Sequence, residues 1–264
     1  MVTVIINDCR DPNAMSRQMA RVASLLGGQV VPMGVQDDLE AAGCLVDALD
    51  ALGGKPETLI LANVASRNGY GKKWANGSPF GYFYYQHTLV MASIDGLTLS
   101  LIKKLGCLSD INVLDIPKVT RVMASRGVIS KESVERIDNS QFRSFDFLPY
   151  AAEQLLRGAS LPSVTFPINA MAIPETPKAV WYIDCFGNAK TTLLPEDIDF
   201  SPNTVVDTRV GPLSCFKRLV DVPDRGFGLV IGSSGIEDKR FLEIVSQGGN
   251  AAEKLGLKVG QVIL

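Results

Sequence analysis

The sequence predicts an α/β N-terminal domain on a mainly parallel sheet. A smaller antiparallel β domain, barrel or sandwich, is expected to follow. Three observations carry this. Apolar β-type runs alternate with helical periods through the first half of the chain, the rhythm of a parallel sheet covered by helices. Prolines at 162, 167, 174 and 177 then mark an extended segment. Beyond it, short apolar runs with turn signals and little helical period succeed one another to the end. The expected boundaries are 1–161 for the α/β domain, 162–177 for a proline-rich linker, and 178–264 for the β domain.

The elements follow in order. Val2-Thr3-Val4-Ile5-Ile6 is β-branched and apolar throughout, as a strand buried on both faces should be. It ends at Asn7-Asp8, and a turn through Asp11-Pro12 leads into a helix from Ala14 to Leu26, closed by Gly27-Gly28. Gln29 to Met33 reads as a second strand, and Asp37-Asp38 supplies an N-cap for a helix through Leu52. Glu57 to Ala62 is the third strand. The glycine-rich, aromatic stretch from Ser66 to Phe83 breaks the rhythm. It reads either as a functional loop or as a surface loop with a basic edge at Lys72-Lys73. Strands at His87–Ala92 and Ile111–Ile116 and helices at Leu97–Leu105, Ser130–Ile137 and Phe147–Leu156 complete the first domain. In the second, runs at 178–183, 189–194, 204–208, 213–222, 227–232, 241–246 and 261–264 read as strands, with one short helix from Ala251 to Leu255.

Composition excludes several function classes. With 46% hydrophobic and 20% charged residues the chain is a soluble globular protein with a large core. A net charge of −2 gives no pull toward nucleic acid or an acidic membrane. No apolar run is long enough to span a bilayer. Five scattered cysteines without a Cys-x-x-Cys pair point to reduced thiols and a cytoplasmic location. His87 is the single histidine, which argues against a multi-histidine metal site, and no metal is expected.

Two places could carry chemistry. Ligands of parallel sheets bind beyond the carboxyl ends of strands, where Asp8 and Asn63 fall. The second is Tyr182-Ile183-Asp184-Cys185-Phe186-Gly187-Asn188, an apolar run that stops on a carboxylate, a ring, a glycine and an amide. That set suits a nucleoside with hydroxyls and an exocyclic amine. It also suits a β-turn closing a strand, which on these seven residues alone is the stronger reading.

This heptapeptide resembles the Asp-x-Phe-Gly-Asn segment of the SAM hydroxide adenosyltransferase and fluorinase/chlorinase family. Ile231-Gly232-Ser233-Ser234-Gly235, Leu242-Glu243-Ile244 and Gly249-Asn250-Ala251-Ala252 through Val259-Gly260 are similar to its closing motif. Asp8, the segment Pro32–Leu52 and the turn Ile94-Asp95-Gly96-Leu97 match its N-terminal half more loosely. The resemblance implies an α/β sandwich followed by an antiparallel β-barrel. It also implies attack on C5′ of S-adenosylmethionine (SAM) with loss of methionine, no cofactor beyond SAM itself, and a homotrimer with inter-subunit sites.

By resemblance Asp8 would hold the ribose hydroxyls, with Asp11 of the same turn counted among the substrate-binding residues. Asp184 with Ser233 or Ser234 would hold the methionine end, and Phe186 and Asn188, with Asn250-Ala251, the adenine. The Asp-Arg-His set of the hydroxide-using members is not retained. Asn63 stands at the aspartate, Lys72 or Lys73 near the arginine, and Arg143 at the histidine. Ser66 and Ser144 fall where the fluorinase has hydroxyls. The expected catalytic group is therefore Asn63, Ser66, Arg143 and Ser144. The implied activities are SAM hydrolysis by an altered set, nucleoside binding without turnover, or halide transfer. Ser144 as a helix N-cap and Ser66 as a turn residue are the structural readings beside these.

Overall fold

A computed structural model describes residues 1–66 and 77–264. The chain divides into two compact units, Met1–Pro174 and Glu175–Leu264.

The first unit is an α/β fold on a mixed, mainly parallel sheet of seven strands. In chain order its elements begin β1 (Val2–Asn7), α1 (Pro12–Leu26), β2 (Gln29–Gly34), α2 (Asp38–Leu52) and β3 (Thr58–Asn63). Then come β4 (Phe80–Tyr85), β5 (Thr88–Ser93), α3 (Ser100–Leu105), β6 (Asp110–Leu114) and α4 (Ile116–Ser125). Helices α5 (Ser133–Asp138), α6 (Arg143–Asp146) and α7 (Leu148–Leu156) lead to β7 (Ser163–Pro167). The sheet order is β2-β1-β3-β5-β4-β6-β7, with β2, β1, β3 and β5 mutually parallel and β4 and β7 reversed. Ile5, Leu59, Leu61, Leu89 and Met91 project from the sheet into a core closed by Met15 and Val22 of α1 and Phe147, Leu148 and Ala151 of the α7 region.

Three expectations need correction. Phe80–Tyr85, whose first four residues were expected within the irregular loop, is an interior strand hydrogen-bonded to β5 and β6. Its glycine there is a packing residue, since a Cβ on Gly81 would lie 2.6 Å from Ile111 Cδ1. Ile116, expected to end a strand, instead opens a helix through Ser125, begun by the Asp115 cap and Pro117. Ser163–Pro167, expected as linker, is the edge strand β7, paired with β6. Prolines flank it at positions an edge strand tolerates. The expectations for Lys72 and Lys73 lie outside the described residues.

The second unit is a separate antiparallel region. A sheet ordered β12-β13-β9-β8 uses β8 (Val180–Ile183), β9 (Ala189–Thr191), β12 (Phe227–Ile236) and β13 (Lys239–Ser246). A two-stranded ribbon joins β10 (Val205–Thr208) to β11 (Gly211–Ser214), and α8 spans Ala251–Leu255. Val180, Ala189, Leu229, Leu242 and Ile244 form its core with Ala251 of α8. Glu237-Asp238 turns between β12 and β13, where Arg240 donates to Glu237 O at 2.9 Å and Ser233 O at 2.9 Å. No described helix is long and apolar enough to cross a membrane.

The start of α2 carries a titrating group. Asp37 accepts from Leu39 N and Glu40 N, and Glu40 Oε2 accepts from Gln36 N at 2.7 Å. Burial raises the Glu40 pKa, opposed by the Gln36 N–H and reinforced by Asp37. A carboxyl raised in the folded state stabilises fully below its unfolded pKa, and that contribution is lost as pH rises through the folded value. Glu40→Gln keeps an acceptor for Gln36 and removes the titration. Urea unfolding across pH should therefore show a flatter profile for Glu40→Gln than for the wild type, from the ordinary glutamate pKa upward. Parallel profiles would contradict it.

Candidate functional site

The parallel register of β1 and β3 sets Asn7 beside Asn63 at the carboxyl edge of the sheet. A polar cavity of about 370 Å³ opens there. Asp8, Asn63, Ala65, Ser78, Gln141 and Arg143 are among its walls.

The residues that place each wall are short-range. Asn7 is buried, donates to Gln18 of α1, and accepts from Cys9 N at 2.8 Å. That turns the backbone so that Asp8 and Cys9 face the cavity. Asp8 Oδ2 accepts from Ala65 N at 3.2 Å. Ser93 Oγ, at the end of β5, donates to Val64 O at 2.9 Å and accepts from Val64 N at 3.2 Å. The segment after β3 is thus held from both neighbouring strands, and Asn63 is fixed at the rim.

The opposite wall comes from the turn before α6. Ser140 Oγ donates to Asp146 Oδ2 at 2.6 Å and accepts from Phe142 N at 2.9 Å, while Arg136 pairs with Asp146 at 2.6 Å. Phe142 and Phe145 stack with centroids 5.5 Å apart. Arg17 of α1 lies over both rings, and Arg21 over Phe145 at 4.2 Å. This ladder ties Gln141–Arg143 to α1. Arg143 donates to Ser78 O at 2.6 Å and lies 5.1 Å from the Phe80 centroid. Its guanidinium has no carboxylate partner among the described residues. Half-burial lowers its pKa by desolvation, so it favours an anion or an electron-rich atom beside it.

The structure brings Asp8, Asn63 and Arg143 together and places the other expected N-terminal residues elsewhere. Asp11 is the N-cap of α1, accepting from Ala14 N at 2.9 Å, and does not line the cavity. Ser66 Oγ sits against Gly96, beside Asp38 Oδ2, which accepts from Leu97 N at 2.8 Å. Ser144 is not an N-cap: it lies buried within α6, and its Oγ has no hydrogen-bond partner among the described residues. Cys9, Ser78, Ser140 and Gln141 join the cavity without having been singled out as site residues. Gln141, between two elements, and Ser78, within the Ser66–Phe83 stretch that reads as a functional or a surface loop, carried a signal.

In the second unit the heptapeptide forms a closed turn. Asp184 Oδ1 accepts from Phe186 N and Asn188 N at 2.9 Å each, and Oδ2 accepts from Asn188 Nδ2 at 3.0 Å. Gly187 has φ +82°, and a Cβ there would meet Asn250 Oδ1 at 1.9 Å. Asn250 caps α8 through Glu253 N at 2.8 Å, and Ala252 N donates to Gly187 O at 2.9 Å. Asp184, Gly187, Asn188, Asn250 and Ala251 are therefore one packed corner, with the Phe186 ring 73% exposed on it. Asp184 Oδ2 keeps acceptor capacity, since a carboxylate offers about four lone-pair sites and Oδ1 already accepts twice. Ser233 and Ser234 lie at an irregularity in β12 between Ile231 and Gly235. Ser234 Oγ is 2.7 Å from Lys190 Nζ, and Ser233 N donates to Glu243 Oε1 at 3.2 Å. Among the described residues no group of three His, Cys, Asp or Glu could hold a metal ion.

Gly187→Ala should destabilise the second unit by at least about 2 kcal/mol, from the positive φ and the contact with Asn250. Chemical denaturation measures this, and an unchanged midpoint would contradict the packed corner.

No family model and no curated protein matches the chain. Solved structures share its fold. An uncharacterized conserved protein from Thermotoga maritima superposes with TM-score 0.68 at 18% identity, over 100% of both chains. A conserved hypothetical protein from Thermus thermophilus gives TM-score 0.63 at 22% identity, over 97% of this chain and 96% of the other. At these identities the likeness is one of fold.

Proposed function

We propose that the chain is a SAM- and adenosine-binding protein that displaces methionine from C5′ of SAM. The observation that carries this is the joining of Asp8, Asn63 and Arg143 in one polar cavity at the carboxyl edge of β1 and β3. Strand-end carboxylates suit vicinal ribose hydroxyls, each of which donates a hydrogen bond. The sulfonium of SAM is already a good leaving group, so no acid is needed. Water attacks C5′ as the C–S bond breaks. The bonding pair passes to sulfur, and adenosine, methionine and a released proton result. The protein's contribution is alignment at about 3–3.5 Å and exclusion of bulk water. The Asn63 amide orients a water without taking its proton, and Arg143 supplies positive charge near the attacking oxygen.

The proposal extends to a C-terminal β-barrel, a cytoplasmic location, a homotrimer, and a second contact set at Asp184, Phe186, Asn188, Ser233, Ser234, Asn250 and Ala251. It includes no cofactor beyond SAM. A second reading, nucleoside binding without turnover, is favoured by one observation: Asp8 is the only carboxylate among the described cavity residues. A base distinct from the ribose ligand is thus not among them. Halide transfer would rest on Arg143 without Ser144, whose hydroxyl is buried within α6 and does not line the cavity.

Incubation with SAM, with and without chloride or fluoride, followed by chromatography separates these readings. Displacement predicts adenosine and free methionine above the buffer rate. Asp8→Ala is predicted to weaken adenosine binding about 10–100-fold, the loss of charge-assisted hydrogen bonds. Calorimetric binding without product selects the second reading. No binding at millimolar nucleoside would contradict both.

A further inference from the structure

A second cavity, of about 480 Å³, meets the first at Gly77 and Arg143 and has no part in the nucleoside reading. Its volume lies within the roughly 300–1,000 Å³ of small-molecule sites. Its walls are apolar: Pro79, Ile94, Val113 of β6, Ile116 of α4, Phe166 of β7 and Met171.

Two charged groups border it, Asp115 and Arg143. Asp115 is already committed. It caps α4 through Lys118 N at 3.2 Å and pairs with Lys118 Nζ at 2.7 Å. The Lys118 contacts hold its carboxyl below the usual carboxylate range. Its charge is therefore balanced from outside the cavity, and it also occupies Lys118 N, one of the N–H groups at the start of α4. Arg143 is not balanced. Its hydrogen bond goes to a neutral carbonyl, Ser78 O, and its other contact is the Phe80 ring. No carboxylate meets it among the described residues. A half-buried guanidinium beside apolar walls gains most from a ligand that supplies both an anion and an apolar body.

We infer that this cavity binds a small monocarboxylic acid with an apolar body. The carboxylate pairs with the Arg143 guanidinium, and the body lies against Val113, Ile116, Phe166 and Met171. One planar guanidinium, with no second cation among the described walls, matches a carboxylate rather than a dianionic phosphate. The neutralised Asp115 offers little to a ligand ammonium, so a simple acid is preferred over its amine counterpart.

The test is calorimetric titration of the full chain with 4-phenylbutyrate, 4-phenylbutyramide and 4-phenylbutylamine. None contains a nucleoside, so the result stands apart from SAM or adenosine binding. The acid should bind at least about tenfold tighter than the amide, the scale of one charge-assisted pair. The amine should be weakest. Arg143→Gln should remove the preference for acid over amide. Met171→Trp, which fills the cavity from an apolar wall residue and leaves the Arg143 charge in place, should weaken acid and amide together. Its folding is checked by circular dichroism and thermal unfolding. Equal affinities for acid and amide would overturn the inference. So would no binding at millimolar acid, or undiminished acid binding by folded Met171→Trp.

Discussion

The candidate site rests on the in-register parallel pairing of β1 with β3. That register places Asn7 and Asn63 side by side at the carboxyl edge, so that the chain leaves both strands at the same height. A slip of one residue would turn Ile5 and Leu61, both in the core, toward the opposite face. The core therefore fixes the register, and the register fixes the rim. Hydrogen bonds then shape the exits: Asn7 to Cys9 N and Gln18, Asp8 to Ala65 N, and Ser93 to Val64. Buried polar groups satisfied in this way hold the shape of a pocket. None of the five cysteines is joined in a disulfide.

Across the cavity, Arg143 links binding to the rest of the fold. It is held by Ser78 O and Phe80, while its turn is tied to α1 through the Phe142–Phe145 stack and the two arginines above it. Cation–π contacts cost the arginines less desolvation than a buried ion pair would. Because no carboxylate neutralises Arg143 among the described residues, its charge is available to whatever enters either adjoining cavity. The same residue thus serves two inferences that stand on different walls.

Much of the first unit was legible because its strands are β-branched and its helices carry caps that a sequence displays. Val2–Ile6, Asp37 before α2 and the glycines after α1 are examples. The missed pieces had misleading neighbours. β4 is aromatic and follows a glycine-rich stretch, so its strand character was submerged in a loop. β7 is bounded by prolines, which read as linker until the edge position of the strand is seen. Asp8 and Asn63 could be placed by topology alone, since parallel strands present their carboxyl ends together. Ser66 and Ser144 could not, because whether a hydroxyl lines a cavity or is packed beside a glycine or inside a short helix depends on tertiary contacts. At Asp184 both readings of the sequence meet in one structure. The turn hydrogen bonds are made, and the carboxylate keeps acceptor capacity beyond them.

The central claim is that the carboxyl edge of β1 and β3 receives a nucleoside. Crystals soaked with adenosine test it most directly. The account predicts ribose density within hydrogen-bonding distance of the Asp8 carboxylate, with the 5′ carbon directed toward Asn63 and Arg143. Adenosine bound elsewhere, with only solvent against Asp8, would contradict it.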